Sequence, residues 1–343
     1  MNPYQLSSYE FDLPQELIAQ TPLANRSTSR LLNFGKATIE HRYFYELENL
    51  FSQPCVFVRN VSKVRKARIY AKKPTGGRVE ALLLNPLADG KWQALMRPAK
   101  RIRVGDILIL SGNARLEVVT KGNHGEFEIC LSGMLDQEEW ISEFGEAPLP
   151  PYIGEKLEDS SRYQTVYAKE IGACAAPTAG LHFTEEQIAR MQAMGHQFCD
   201  VTLHVGIGTF RPVDTEDIRD FQIHHEGICI EDEAIKTLKN ARENKVPIVA
   251  VGTTSLRVLE SVWLENGLTK PFVGTTNLYL MPGKKIHSTD YLLTNFHLPG
   301  SSLLILIATM IGQQNWKNLY REAIEKRYRF FSFGDCMLLP NLS

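Results

Sequence analysis

The sequence predicts an α/β fold: a mostly parallel, barrel-like α/β domain into which an antiparallel β-barrel domain is inserted. Beyond residue 151, short apolar runs alternate with amphipathic segments of helical period, which is the pattern of a largely parallel sheet with helices. From Cys55 to about Leu131, apolar residues repeat at every second position between closely spaced turns, as in a small antiparallel barrel. The prolines in Pro148–Pro151 break the chain between these two patterns. We therefore expect a discontinuous α/β domain of residues 1–60 and 151–343, and an inserted β-barrel domain of residues 61–150.

The composition fits an ordinary globular protein and excludes several classes. A chain of 343 residues can hold two domains, and its 38 Lys and Arg residues balance 39 Asp and Glu residues. Any nucleic-acid surface must therefore be a local basic patch. The six cysteines show no CxxC pairing, which favours reduced thiols. No signal peptide is evident, and the longest apolar run, Leu303–Ile311, is about half of a membrane span. We expect a cytoplasmic protein without a membrane segment.

The N-terminal part begins with a short helical pattern over Phe11–Pro22. Arg26 and Arg30 follow among small hydroxyl residues and lead into a strand. These residues alone leave two alternatives open, a solvated turn or a pair of anion-binding arginines.

The predicted barrel carries local clusters of basic residues. Lys63, Arg65, Lys66 and Arg68 form the first cluster, and others lie near residues 72 and 100. Phosphate binding requires such clusters in a neutral chain, although charge on an exposed strand face is common and also explains them. Because alternating residues of a strand point to opposite faces, we expect Lys66 and Arg68 to share one face of a strand and Lys63 and Arg65 to share the other.

A central unit of loop, helix, strand and second loop follows the prolines. Thr184 is a good N-cap, and Gln187 stands at the position of a capping box. The strand Phe198–Val205 follows the helix, and the two loops contribute His182 and His204. Further elements are expected downstream: helices over Asp232–Lys245, Leu256–Glu265, Leu303–Ile311 (capped by Ser301 or Ser302) and Asn315–Tyr328, and strands over Val246–Val251, Asn277–Met281, Tyr291–Phe296 and Phe333–Leu339.

Three loop motifs fall at the carboxyl ends of predicted strands, where α/β folds place their sites. The first contains His204, Gly206 and Gly208, the second is Gly252–Ser255, and the third runs from Leu293 to Pro299. The Gly-x-Gly of the first motif lacks the third glycine of a dinucleotide fingerprint. The second presents free N–H groups to an anion at a helix start, and plain N-capping is compatible with that use.

Several histidines stand next to loop ends, which favours acid–base chemistry for one or two of them. A lone histidine on a strand is usually structural, and none of the usual close metal-ligand pairs is present, so we expect no metal. Glu226 follows His224 and His225 directly. It is the nearest carboxylate for orienting a histidine or binding a ribose diol.

Several long blocks of the chain resemble the S-adenosylmethionine:tRNA ribosyltransferase-isomerases of queuosine biosynthesis (the QueA family). They are PTAGLHFT, TLHVGIGTFRP, RYQTVYA, VGTTSLRVLES, LLTNFHLP and RYRFFSFGD, and an N-terminal block around Arg26 and Arg30. The resemblance extends from about Phe11 to Leu339. It implies transfer of the ribosyl part of S-adenosylmethionine to 7-aminomethyl-7-deazaguanine at the tRNA wobble position. The products are epoxyqueuosine-tRNA, adenine and methionine.

The resemblance also implies where substrates bind, and the residue chemistry suggests roles. His204 or His182 is the candidate base, and the other would protonate departing adenine; Glu226 completes the catalytic set. Substrate-binding candidates are Thr178, Gly180, Gly206, Gly208, Thr253, Thr254, Ser255, Arg257, Asn295 and His297, and RNA-binding candidates are Arg26, Arg30, Lys63, Lys66 and Arg68. Arg257 would clamp the methionine carboxylate, and Asn295 would read the deazaguanine edge. We expect a monomer that acts on tRNA with a GUN anticodon and needs no cofactor, because S-adenosylmethionine is consumed.

Two blocks depart from the family pattern. The family usually has Asn-Asp-Thr-Arg where this chain has Asn60-Val61-Ser62-Lys63, so a carboxylate becomes valine and an arginine becomes lysine. Likewise His224-His225-Glu226-Gly227 keeps His and Glu of its block but lacks an aromatic residue. The alternative function is therefore a divergent, non-catalytic or altered-substrate RNA-binding relative of the family.

Overall fold

A computed structural model describes residues 2–35, 38–111, 113–123, 125–133, 136–150, 152–154, 157, 159–206 and 212–343. The chain divides into two compact units: unit 1 is Met1–Lys63, Pro151–Glu170 and Ala176–Ser343, and unit 2 is Val64–Pro150 and Ile171–Ala175. In chain order, the strands are β1 (Arg30–Phe34), β2 (Ile39–Tyr43), β3 (Val56–Asn60), β4 (Ser62–Val64), β5 (Arg68–Lys72), β6 (Arg78–Pro86), β7 (Lys91–Arg97), β8 (Ile107–Ile109), β9 (Arg115–Lys121), β10 (Glu126–Ser132), β11 (Gly145–Glu146), β12 (Glu170–Ala173), β13 (Gln197–Leu203), β14 (Glu226–Ile230), β15 (Ile248–Val251), β16 (Phe272–Thr276), β17 (Tyr291–Asn295) and β18 (Cys336–Pro340).

Unit 1 is built on a nine-stranded mixed sheet of order β16-β14-β13-β3-β15-β17-β18-β1-β2. Strands β13, β3, β15 and β17 are parallel neighbours, and β18 and β1 are also parallel. The remaining pairings are antiparallel. Strand β15 is wholly apolar and buried, and β3 and β17 are buried except for one residue each, as expected for strands covered on both faces.

The helices confirm most of the predicted segments. They are α1 (Gln137–Phe144), α2 (Glu185–Ala193), α3 (Asp232–Glu243), α4 (Gly252–Asn266), α5 (Ser302–Ile311) and α6 (Gln313–Glu325). The predicted cap of α2 is confirmed, because the Thr184 hydroxyl accepts a hydrogen bond from the Gln187 N–H at 3.2 Å. Ser301 caps α5 in the same way, through the N–H of Leu304. These caps satisfy N–H groups that a helix start otherwise leaves without partners.

Unit 2 contains a closed antiparallel barrel. Its strands follow the order β5-β6-β7-β10-β9-β8, and a pairing of Lys72 with Ile109 joins β5 to β8 and closes the ring. Strand β11 extends the sheet beside β5. Alternate residues point inward and form one apolar core with Trp92 and Phe127. The predicted fold class, an α/β domain with an inserted antiparallel barrel, is thereby confirmed.

Three local predictions are wrong, each because of a contact from elsewhere. Phe11–Pro22 forms only a 3₁₀ turn, Gln15–Leu17, because Leu17 and Ala19 hydrogen-bond to Phe330. Asn277–Met281 is not a strand, since the pairing partner of β14 is Phe272–Thr276 just before it. Residues 63–68 are not one strand either: β4 ends at Val64 and β5 begins at Arg68, so the predicted two-face arrangement of the basic side chains does not hold.

Candidate active site

The predicted loop motifs lie along one edge of the unit 1 sheet. Because β13, β3, β15 and β17 are parallel, their carboxyl ends share that edge. His204 follows β13, Gly252 follows β15, and Asn295 ends β17. Strand β14 runs antiparallel to β13, so Glu226 begins it at the same edge. This edge therefore gathers residues that are far apart in sequence.

A buried ion pair joins Glu226 to Arg257 at this edge. Each residue is 7% exposed, and the Glu226 carboxylate contacts the Arg257 Nη1 atom. The other carboxylate oxygen accepts the N–H of Gly206 at 2.8 Å. Arg257 also donates from Nε to the Leu278 carbonyl at 3.2 Å. Its Nη2 atom is buried and has no hydrogen-bond partner among the described residues, so one donor of the fork is available to a ligand.

The start of α4 offers further donors on the same helix. Its N-cap residue, Val251, makes no side-chain cap, and Gly252 has φ +87°, a left-handed backbone conformation that favours glycine. The Thr254 hydroxyl is buried without a partner in the described part of the chain. Thr253 is buried, and Ser255 donates to the Val251 carbonyl at 2.8 Å. Uncapped N–H groups at a helix start attract an anion, and Thr254 lies one turn before Arg257 on the same face.

The 3₁₀ turn Thr178–His182 packs against the start of α4. A Cβ atom placed on Gly252 would lie 3.5 Å from the Ala179 Cβ. Gly180 is buried, and a Cβ there would lie 2.0 Å from the Tyr167 hydroxyl oxygen, so only glycine fits. Thr178 is half-buried at the beginning of this turn.

His182 is buried, and both of its ring nitrogens are hydrogen-bonded. The Asn295 amide nitrogen lies 3.2 Å from Nε2 and also donates to the carbonyls of Phe331 and Asp335, which identifies it as the NH₂ group. His182 Nε2 is then the acceptor, and Nδ1–H donates to the Ser29 hydroxyl at 2.7 Å. Burial, with the nearby positive charges of Arg329 and Arg26, lowers the pKa of His182 to about 3. Protonating it at pH 7 costs about 5 kcal/mol.

His204 differs from His182 in its exposure and in how it is held. It is half-buried, and its backbone N–H donates to the Gly227 carbonyl at 3.0 Å. The preceding residue, Leu203, is fixed by Asn60: the amide of Asn60 donates to the Leu203 carbonyl at 2.9 Å and accepts its N–H at 3.0 Å. Asn60 therefore determines where β13 ends and where His204 begins its loop.

The remaining substrate-binding candidates are distributed as follows. His297 is buried, its Nε2 lies 3.0 Å from the Thr294 hydroxyl, and burial lowers its pKa to about 3. Asn295 uses its NH₂ group inside the protein, while its Oδ1 is buried with no partner in the described ranges. Gly208 lies outside the described residues.

Two of the arginines predicted to bind RNA have internal partners. Arg30 forms an ion pair with Asp335 at 3.1 Å and stacks over the Tyr328 ring. Arg26 donates to the backbone carbonyls of Gln164 and Ser161. Arg30 thus has its charge neutralised, whereas Arg26 does not.

The basic candidates near the start of unit 2 also differ from one another. Lys63 is exposed. Lys66 donates to the Ser142 carbonyl at 2.9 Å, and Arg68 forms an ion pair with Glu80 at 3.2 Å. Of these three, Arg68 has its charge compensated by an ion pair.

Sequence reasoning missed Asn60 as a positioning residue, although Asn60 opens the block Asn60–Lys63 that departs from the family pattern. It also missed the pairing of Glu226 with Arg257, which only strand order brings together. Among the described residues, no cluster of three His, Cys, Asp or Glu side chains could hold a metal ion. In the same residues, no helix is long and apolar enough to cross a membrane.

The fold of unit 1 and the residues at the carboxyl edge of its sheet are shared with a class of proteins that includes a solved structure and named relatives. A crystal structure of S-adenosylmethionine tRNA ribosyltransferase from Thermotoga maritima is similar with a TM-score of 0.56 and 34% identity, covering 96% of this chain and 99% of that one. A relative from Natranaerobius thermophilus is 42% identical, covering 98% of this chain and all of its own length. One from Clostridioides difficile is 44% identical over 96% of this chain and 98% of its own. Both are named S-adenosylmethionine:tRNA ribosyltransferase-isomerase.

A family model described as queuosine biosynthesis protein matches residues 6–339. The chain belongs to this family.

Proposed function

We propose that this protein is an S-adenosylmethionine:tRNA ribosyltransferase-isomerase. It transfers and isomerises the ribosyl moiety of S-adenosylmethionine onto 7-aminomethyl-7-deazaguanine at the tRNA wobble position, giving epoxyqueuosine-tRNA with release of adenine and methionine. Relatives with that name match nearly the whole chain at 42–44% identity. The observation that carries the proposal is the sheet edge where His204, the Glu226–Arg257 pair and the uncapped start of α4 meet.

The methionine carboxylate of the donor binds at the start of α4 in this proposal. The open Nη2 of Arg257, the Thr254 hydroxyl and the first-turn N–H groups are all donors, as a carboxylate requires. Glu226 holds Arg257 in place and neutralises its other side. Thr253 and Ser255 shape the turn rather than contributing free side-chain donors.

His204 is the base in this proposal. The sulfonium centre of S-adenosylmethionine acidifies the neighbouring 5′ C–H bond, and a positioned imidazole can remove that proton as a general base. His204 is half-buried beside Gly206, within the loop that Glu226 anchors. The proton that it takes is then available to the departing adenine.

His182 acts as a positioning residue. Its low pKa makes it a poor base that stays unprotonated at neutral pH, and both ring nitrogens are already hydrogen-bonded. His182 holds the Asn295 amide through its NH₂ group. The Asn295 Oδ1 atom has no partner among the described residues, so it can accept an N–H of the deazaguanine. His297 supports the same loop through Thr294. Gly206 lets the substrates approach the backbone closely, whereas Gly180 leaves the space that the Tyr167 hydroxyl fills. Thr178 and Gly208 remain substrate-binding candidates.

The catalytic domain in this proposal is the discontinuous α/β domain of residues 1–60 and 151–343. The inserted domain of residues 61–150 contributes tRNA contacts, with Lys63, Lys66 and Arg68 as candidates. We propose a cytoplasmic monomer that acts on tRNA with a GUN anticodon. It uses no cofactor, since S-adenosylmethionine is consumed as the ribosyl donor.

The direct test is release of adenine. Purified protein is incubated with S-adenosylmethionine and tRNA carrying the precursor base, and free adenine is measured by chromatography. A matched tRNA with guanine at the wobble position is the control. Adenine release that depends on the precursor base supports the proposal, whereas none from folded protein at saturating substrates contradicts it.

A further inference from the structure

A polar pocket of unit 1 lies at the other end of the Thr178–His182 turn from α4. Its lining comes from four separate parts of the chain and includes Arg26, Ser29, Arg162, His182, Ser332 and Gly334. Arg329 lies close by, since its charge acts on His182. The function described above does not use this pocket.

The arginines around the pocket are held by neutral partners. Arg26 donates to the carbonyl of Gln164 at 2.7 Å, and Arg162 donates to that of Leu23 at 2.6 Å. Arg329 donates to the carbonyl of Thr21. No ion pair joins any of these three guanidinium groups to a carboxylate within the described residues.

Two donors of this cluster have no hydrogen-bond partner in the part of the chain that the structure describes. Arg162 Nε and Arg329 Nη1 are buried and make no hydrogen bond to any described residue. A buried donor on a charged group that lacks a partner destabilises the protein unless a ligand provides the acceptor. Because both donors belong to cations, the acceptor they favour is an anion.

The carboxylates that face the cluster are already engaged. Asp159 caps the backbone N–H of Ser161 at 2.9 Å. Asp335 is paired with Arg30 at 3.1 Å and accepts the backbone N–H of Arg329. Uncompensated positive charge therefore remains. This positive charge acts on Arg26, whose pKa is lowered by burial and by the neighbouring charge of Arg162.

We propose that this pocket binds one backbone phosphate of the substrate tRNA, next to the nucleotide being modified. The inference rests on the proposed function for the identity of the RNA. Fork-shaped guanidinium groups match the oxygen atoms of a phosphate, and those of Arg26 and Arg162 line this pocket. The five-residue turn that separates the pocket from α4 is about 8 Å long at a 3₁₀ rise. One nucleotide can therefore reach both the pocket and the donor site.

The test measures binding of a labelled anticodon stem-loop at several salt concentrations. Arg162→Gln and Arg329→Gln should each raise the dissociation constant roughly tenfold or more, because a charge-assisted contact is lost. Each should also reduce the slope of log affinity against log salt concentration by about one. The dissociation constant of S-adenosylmethionine should keep its wild-type value. Arg219→Gln is the matched control, since that arginine of unit 1 is already paired with Asp217.

A second experiment locates the phosphate. Stem-loops in which single phosphates beside the wobble nucleotide are replaced by neutral methylphosphonate should bind the wild type more weakly. One of these replacements should cause no further loss in Arg162→Gln. If Arg162→Gln does not fold, Arg162→Lys replaces it; this variant keeps the charge, so weaker binding with an unchanged salt slope is expected.

Three results would overturn the assignment. The first is an unchanged salt slope in both glutamine variants, and the second is a loss of S-adenosylmethionine affinity instead of RNA affinity. The third is that every methylphosphonate replacement weakens binding to Arg162→Gln as much as it weakens binding to the wild type. The adenine assay is independent of this test. If the wild-type protein releases no adenine but its RNA affinity depends on Arg162 and Arg329, the proposed function is contradicted. The assignment of the pocket as a phosphate site would still stand.

Discussion

Replacing Gly180 with alanine tests how strictly the Thr178–His182 turn is positioned. The added methyl carbon would lie 2.0 Å from the Tyr167 hydroxyl oxygen and 2.8 Å from the Thr165 Cγ2 atom. Both distances are far below van der Waals contact. Tyr167 is buried and its ring lies under the Arg59 guanidinium at 4.6 Å, so it cannot swing into solvent without losing that contact. The turn itself must therefore move.

The structure sets the expected size of the effect. Overpacking a buried site typically costs 1–3 kcal/mol, and the severity of this overlap favours about 2 kcal/mol or more. For a unit of this size, a loss of about 2 kcal/mol lowers the melting temperature by roughly 4–8 °C. Displacing the turn also moves Ala179 away from Gly252 and disturbs the hydrogen bonds of His182. We therefore expect turnover to fall more than stability alone explains.

Thermal unfolding and adenine release are measured for Gly180→Ala, Tyr167→Phe and the double variant. Tyr167→Phe removes a buried hydroxyl that has no partner among the described residues, so alone it should change stability little. The double variant should recover part of the loss, because the closest atom is gone while the ring carbon at 2.9 Å remains. A Gly180→Ala protein as stable and active as the wild type would refute this account of the turn.

Three further predictions concern the site and its surroundings. His204→Ala should lower turnover by about two orders of magnitude or more with the fold retained; near-normal adenine release from the folded variant would remove His204 from the mechanism. Arg257→Lys keeps a charge beside Glu226 but loses the open Nη2 donor, so calorimetry should show S-adenosylmethionine affinity reduced roughly tenfold; a drop in tRNA affinity instead would place Arg257 on the RNA surface. His182 and His297 are neutral in the folded protein, with pKa values of about 3, whereas the unfolded chain protonates them below about pH 6.5. Unfolding free energy should therefore be lost as the pH falls from about 6.5 towards 3, by up to about 1.4 kcal/mol per pH unit for each histidine. His297→Gln, which keeps an amide donor near Thr294 and does not titrate, should reduce the slope of denaturant-derived stability against pH, and an unchanged slope would contradict the assignment.

Elements with a strong local signal could be predicted from the sequence. Thr184 and Ser301 cap their helices as expected, and α3 begins at Asp232 as its apolar period indicates. The strand ends that carry His204 and Asn295 were also found, because an apolar run followed by polar loop residues is a local pattern. A cap, an apolar period and a strand end can each be recognised from the residues of a single helix or strand.

Features that depend on strand order could not be predicted in this way. Glu226 and Arg257 are 31 residues apart and meet only because β14 turns back along β13. The partner of Arg30 is 305 residues away, and sequence alone gave no reason to pair it with Asp335 rather than with RNA. His182 looked like a candidate acid or base, because burial and the occupancy of both nitrogens are tertiary properties.

The departure at Val61 has a structural counterpart. Val61 is 4% exposed and packs in an apolar cluster that includes Tyr167 and Ala179. Its backbone carbonyl accepts the N–H groups of Lys169 and Glu170 at 2.8 and 3.1 Å. In this chain, the position is therefore an apolar support beneath the Thr178–His182 turn.

The position of β18 makes completion of the large sheet depend on residues late in the chain. All six barrel strands lie between Arg68 and Ser132, so the barrel can close while the ribosome is still extending the chain. The large sheet cannot close so early, because β18 separates β17 from β1 and is the last strand to emerge. Asn295 likewise obtains the carbonyl of Asp335 only then. A chain that ends before Cys336 would therefore keep all six barrel strands but lack the strand that joins β17 to β1.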